Sequence, residues 1–157
     1  MKKWGIILGI AVILAFGLKG WSVYHGVQTK QEAIKRQAIV EAKQEGKIDE
    51  VVTVTNYRGT KAYTVIYGKN EHGEEQYVWI PQSEGETIVK PANEGLSREE
   101  VVRYARQKLN PKKIIAVRPG VEEQLPVWEI VFIDQNQRYT FYYLRFDGKD
   151  WVKNIHL

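Results

Sequence analysis

Three histidines, His25, His72 and His156, are the residues of this sequence suited to proton transfer or metal ligation near neutral pH. None has the i, i+4 partner or the carboxylate spacing of a metal site. Glu71, Glu74 and Glu75 around His72 offer oxygen ligands to a hard cation, but without the regular ligand spacing of a calcium loop they read as a solvated turn. Glu99-Glu100 reads as a helix start, where acids favour the helix dipole, and Glu122-Glu123 as a loop. Ser22, Ser83 and Ser97 are the only serines, and there is no cysteine. No Gly-x-Ser-x-Gly elbow, Ser-x-x-Lys pair or phosphate-binding glycine loop occurs. Nucleophile and base are not within one recognisable pattern, so the expectation is no catalytic residue, no metal site, no cofactor and no small-molecule substrate.

What remains is aromatic. Arg138–Phe146 places Tyr139, Phe141 and Tyr143 on one face of a strand and Tyr142, Leu144 and Phe146 on the other. Large side chains on both faces exceed what a single helix can cover. One face therefore packs elsewhere in the chain or anchors another protein, as Tyr, Trp and Arg commonly do. Tyr139, Phe141 and Tyr143, with Trp79 and Trp151, are the candidate partner-binding aromatics.

Elements must hold these residues in place, and composition bounds them. In 157 residues, 43% hydrophobic content and 5 Trp suit a folded chain with a modest core. The net charge of +4 is concentrated at one end. Lys2, Lys3 and Lys19 lie in the first 26 residues, which hold no acid, so the rest carries only +1. A nucleic-acid partner would require that excess on the folded part, and none is expected.

Trp4 to Leu18 is 15 residues without a polar side chain. That run spans roughly 22 Å as a helix, and continuing to Tyr24 brings it to roughly 31 Å, the thickness of a bilayer's hydrocarbon core. Lys19 can snorkel to the interface, where Trp4 at one end and Trp21 and Tyr24 at the other also belong. Ala15-Phe16-Gly17 is embedded in the apolar run and makes a poor cleavage site. Residues 1–25 are accordingly expected to be a short cytoplasmic stub and an uncleaved single-pass signal anchor. Positive charges on both flanks do not fix its orientation; a long following domain is usually translocated, which places the folded part outside the cell membrane.

Beyond the anchor, Val27–Glu45 is rich in helix formers, and Ile34, Ala38 and Ala42 continue one thin apolar stripe up to the stop at Gly46. Strands are expected at Val51–Tyr57, Ala62–Tyr67, Gln76–Ile80 and Thr87–Lys90. After a linker at Pro91–Gly95 the pattern restarts with a capping box, Ser97-Arg-Glu-Glu100. Its helix runs to Pro111, burying Val101, Ala105 and Leu109. Strands follow at Lys113–Arg118, Val127–Asp134, Arg138–Phe146 and Trp151–Ile155, with turns at Pro119-Gly120, Gln135-Asn136 and Asp147-Gly148. An offset of about 65 residues lays Tyr63–Tyr67 over Trp128–Phe132 and Tyr77–Trp79 over Tyr142–Leu144. The fold class is therefore α+β: two similar halves, 26–91 and 92–157, each a helix on a meander of about four antiparallel strands.

A helix followed by a curved meander, twice over, resembles the PepSY-like, cystatin-related domains of bacterial cell-envelope proteins. Gln76-Tyr-Val-Trp-Ile-Pro81 followed by Glu94-Gly-Leu-Ser-Arg-Glu-Glu100 is similar to the TseB-like family of Gram-positive bacteria. The resemblance implies tandem PepSY-like domains displayed by a membrane anchor. It further implies a non-enzymatic regulator of cell-wall elongation that associates with a penicillin-binding transpeptidase. Because PepSY domains also occur in protease propeptides, restraint of an envelope peptidase is the alternative it offers.

Overall fold

The computed structural model describes residues 31–45, 47–149 and 154–156. The expected anchor, with Trp4, Lys19, Trp21 and Tyr24, lies outside them, as does Trp151. Among the described residues no helix is long and apolar enough to cross a membrane. The chain divides into two units, Met1–Gln37 and Ala38–Leu157. In the first, residues 31–37 are helical and Lys35 pairs with Glu32 one turn away. The helix α1 covers residues 31–44, and its segment from Ala38 belongs to the second unit.

That second unit holds two four-stranded antiparallel sheets, each in sequential order. The first is β1 (Glu50–Arg58), β2 (Ala62–Lys69), β3 (Glu75–Pro81) and β4 (Ile88–Pro91). The second is β5 (Lys113–Glu122), β6 (Leu125–Ile133), β7 (Tyr139–Arg145) and β8 (Asn154–His156). Between the sheets stand a 3-10 turn, Ala92–Glu94, and α2, Arg98–Tyr104, extended by a π-helical turn over Ala105–Leu109. The α+β class and the eight strands agree with the sequence pattern.

Each sheet has one helix of its own. Ala38 and Ala42 of α1 are small enough for close approach, and pack with Ile48, Ile66, Val78 and Ile80 in one buried cluster. The opposite face of the first sheet carries Tyr57, Tyr63, Val65 and Trp79, which join the second half in a larger cluster. There the alternating residues Trp128, Ile130 and Phe132 of β6 meet Tyr142 and Leu144 of β7 together with Val101 and Ala105. Trp79 and Trp128 both contact the ring of Phe146, at centroid distances of 5.2 and 6.4 Å. The two halves thus share one aromatic core.

Two sequence expectations are corrected. Pro119-Gly120 is not a turn: β5 runs through both to Glu122, and the chain reverses at Glu123 and Gln124, whose φ values are 48° and 67°. Two positive φ angles give the hairpin twist that flanking strands require. Pro119 is tolerated because β5 is an edge strand, where a missing N–H breaks no ladder. Gly120 is needed for space, since a Cβ there would stand 2.4 Å from the Tyr57 ring.

The expected capping box is present: the Glu100 amide donates to Ser97 Oγ, and the Ser97 amide donates to the Glu100 carboxylate at 2.8 Å. These contacts hold the Glu100 carboxyl below its usual range, the Ser97 backbone bond being the largest cause.

Candidate functional site

Three features of the second unit bring polar or aromatic side chains together. The first is a buried cluster between the sheets. Glu122, at the end of β5, is only 3% exposed. Its Oε1 accepts from the Tyr57 hydroxyl at 2.6 Å, and its Oε2 from the Thr60 hydroxyl at 3.2 Å. Glu129 of β6, 2% exposed, accepts from Arg118 Nε at 2.5 Å and from the Tyr143 hydroxyl at 3.2 Å. Each carboxylate thus holds one phenol, Glu122 that of Tyr57 and Glu129 that of Tyr143. Burial pushes the Tyr57 hydroxyl far above its ordinary value, and Glu122 adds to that. Tyr143 is pushed up to about 12, by burial first and the Glu129 charge next. Both phenols therefore stay protonated at neutral pH and act as donors. The cluster has the chemistry of a structural tie: each buried carboxylate is held by hydroxyl or guanidinium donors.

The second feature is a groove of about 400 Å³ between the first sheet, the start of α2 and β5. Thr53, Thr55, Tyr67 and Tyr77 share one face of the first sheet, because Thr53 pairs with Tyr67 and Tyr67 with Tyr77. Arg98 and Arg118 line the facing wall. The rings of Tyr67 and Tyr77 are 4.7 Å apart and inclined by 32°. Each hydroxyl is pushed up to about 12, mainly by burial.

The third is an exposed apolar strip on the second sheet. Tyr142 and Leu144 face α2, with the Tyr142 and Tyr104 hydroxyls 2.8 Å apart. Alternation therefore turns Tyr139, Phe141 and Tyr143 to the other face. Tyr57 occupies that face beside Gly120. Further along, Tyr139 is 49% exposed, Phe141 is half-buried, and Ile155, paired with Phe141, is 39% exposed.

The candidate partner-binding aromatics are consequently separated. Trp79 is fully buried and Tyr143 nearly so. Neither presents a surface, because the first stacks in the shared core and the second is spent on Glu129. Tyr139 is open on the strip, while Phe141 beside it is half-buried and packs against the larger core cluster. His72 and its acids are exposed, and no cluster of metal-ligating residues occurs among the described residues. The Tyr57–Glu122 tie and the groove escape a sequence reading, because neither is built from adjacent residues. The sequence pattern puts Glu122 in a loop with Glu123, whereas the structure buries it at the end of β5.

Known proteins are similar to this chain in sequence and in fold. A profile described as "Cell wall elongation regulator TseB-like domain" matches residues 37–81, which run from α1 to the end of β3. "Probable cell wall elongation regulator TseB" of Bacillus subtilis (strain 168) is 28% identical over 151 residues, covering 96% of this chain and 93% of that protein. The solved structure of the "YpmB protein from Bacillus subtilis" superposes with a TM-score of 0.71 at 28% identity, over 78% of this chain and 96% of that one. The chain is thus similar in sequence to a TseB-type cell wall elongation regulator and in fold to the YpmB protein.

Proposed function

We propose that this chain is a non-enzymatic regulator of cell wall elongation. It is anchored in the cell membrane by residues 1–25, displays its folded part outside, and binds a penicillin-binding transpeptidase. Its halves act as tandem PepSY-like, cystatin-related domains. The observation carrying this reading is similarity along 96% of the chain to a relative named as such a regulator. The strip of Tyr139, Phe141 and Ile155 suits a protein partner, since an exposed aromatic and aliphatic patch gains most from being covered. The anchor supports the same role. Confinement to the membrane plane raises the effective concentration of the strip for another membrane protein.

Co-purification from detergent-solubilised membranes tests the reading. The full chain should recover a cell-wall transpeptidase, and the Tyr139→Ala, Phe141→Ser variant should recover much less of it. Repeated recovery without any cell-wall synthase would overturn the proposal, as would turnover of a substrate by the purified protein.

A further inference from the structure

Resting on the reading that the partner is a protein, we infer that the groove beside α2 receives an extended, proline-bearing segment of that partner. A cavity of about 400 Å³ falls within the range that holds a compact ligand. Its floor is aromatic: Tyr67 and Tyr77 present inclined rings 4.7 Å apart, and Tyr77 stacks in turn on Trp79 at 5.6 Å. Its lining includes the hydroxyls of Thr53 and Thr55 and the guanidinium groups of Arg98 and Arg118, the Arg118 Nε being already given to Glu129. Glu99 is the single carboxylate of the lining.

Trp128 also lines the groove. The indole N–H of Trp128 is buried and meets no acceptor among the described residues. A surplus of donors calls for a ligand rich in acceptors. A polyproline-type segment has that character: its carbonyls are not used internally, and proline supplies no N–H to compete for them. Its rings pack on aromatic faces, and the segment is already extended, so little ordering entropy opposes binding. Arg98 is exposed at the rim, placed to meet the carbonyls of an entering chain.

The test uses the full chain in detergent micelles, titrated with a blocked polyproline peptide, a blocked Gly-Ser peptide of equal length and an N-acetylglucosamine oligomer. Binding is read from the indole N–H resonances. The polyproline peptide should shift the Trp128 signal and bind at least about tenfold more tightly than the Gly-Ser peptide. Tyr67→Ala should weaken it by about tenfold. Arg98→Glu, at an exposed position that leaves the core intact, should weaken it several-fold. Equal binding of the two peptides, preference for the oligosaccharide, or indifference to both substitutions would overturn the inference. Recovery of the transpeptidase is scored separately. Its loss with peptide binding retained would sink the proposed function alone, and the reverse would sink only the groove.

Discussion

The Tyr57 hydroxyl donates to the Glu122 carboxylate at 2.6 Å, and the two residues stand 65 positions apart. That is also the offset that lays Tyr63 over Trp128. The hydrogen bond joins the end of one edge strand to the end of the other. An acid could be buried here only because the neighbouring half supplies its donors.

Removing one partner should cost more than the bond is worth. Tyr57→Phe leaves Glu122 buried with only Thr60 to satisfy it, and is expected to destabilise the fold by about 1–3 kcal/mol in chemical denaturation. Glu122→Gln should cost a similar amount. The double variant should cost clearly less than the two added together, since they remove the same contact. Additive losses would show the pair to be uncoupled.

Stability should also fall on the alkaline side. Tyr57 has a folded value raised above the ordinary 10.0, so the folded chain holds a proton that the unfolded chain releases. That contribution is fully present below 10.0 and is lost as pH rises beyond it. Tyr67, Tyr77 and Tyr143 act in the same direction. Denaturation midpoints should decline above that pH, and Tyr57→Phe should flatten the decline.

Gly120→Ala should be poorly tolerated, because its methyl group would sit 2.4 Å from the Tyr57 ring. A loss of about 1–3 kcal/mol is expected from overpacking. In the Tyr57→Ala background the added cost of Gly120→Ala should nearly vanish. A loss of the same size in both backgrounds would assign the effect to strand backbone instead.

The capping box gives a smaller effect with an acid dependence. Ser97→Ala should cost about 1 kcal/mol. Because the folded Glu100 carboxyl is held low, chiefly by the Ser97 backbone amide, its contribution is present above the unfolded value and disappears as pH falls through the folded one. Glu100→Gln should remove that acid limb from the stability profile.

Trp79 and Tyr139 should behave oppositely. Trp79→Ala empties the shared core and is expected to cost about 3–5 kcal/mol, visible as a lower denaturation midpoint. Tyr139→Ala, half-exposed on the strip, should leave that midpoint within about 0.5 kcal/mol while reducing partner recovery.

The strands were legible because β-branched and aromatic residues alternate along them, and α2 because its capping box has fixed spacing. Alternation also showed that β7 bears large side chains on both faces. It could not show which end of a face the other half would cover. That depends on contacts across the two sheets, and so Tyr143 proved buried while Tyr139 remained open. The reversal at Glu123-Gln124 was legible only as a loop at Glu122-Glu123, and its tight turn was hidden for a different reason. Glu and Gln carry no turn signature, and the Pro119-Gly120 pair that does is explained by an unladdered edge and the approach of Tyr57. The groove was invisible because its lining comes from four strands, a helix start and a tryptophan far apart in the chain.

Pooling Trp79, Trp128 and Phe146 in a single interior leaves the molecule no safe place to be cut. Severed near Pro91, either fragment would carry a raw aromatic flank into water and be prone to clump or be degraded. Evolution could therefore remodel the open end of the second sheet freely, while substitutions in one half must wait on permission from the other.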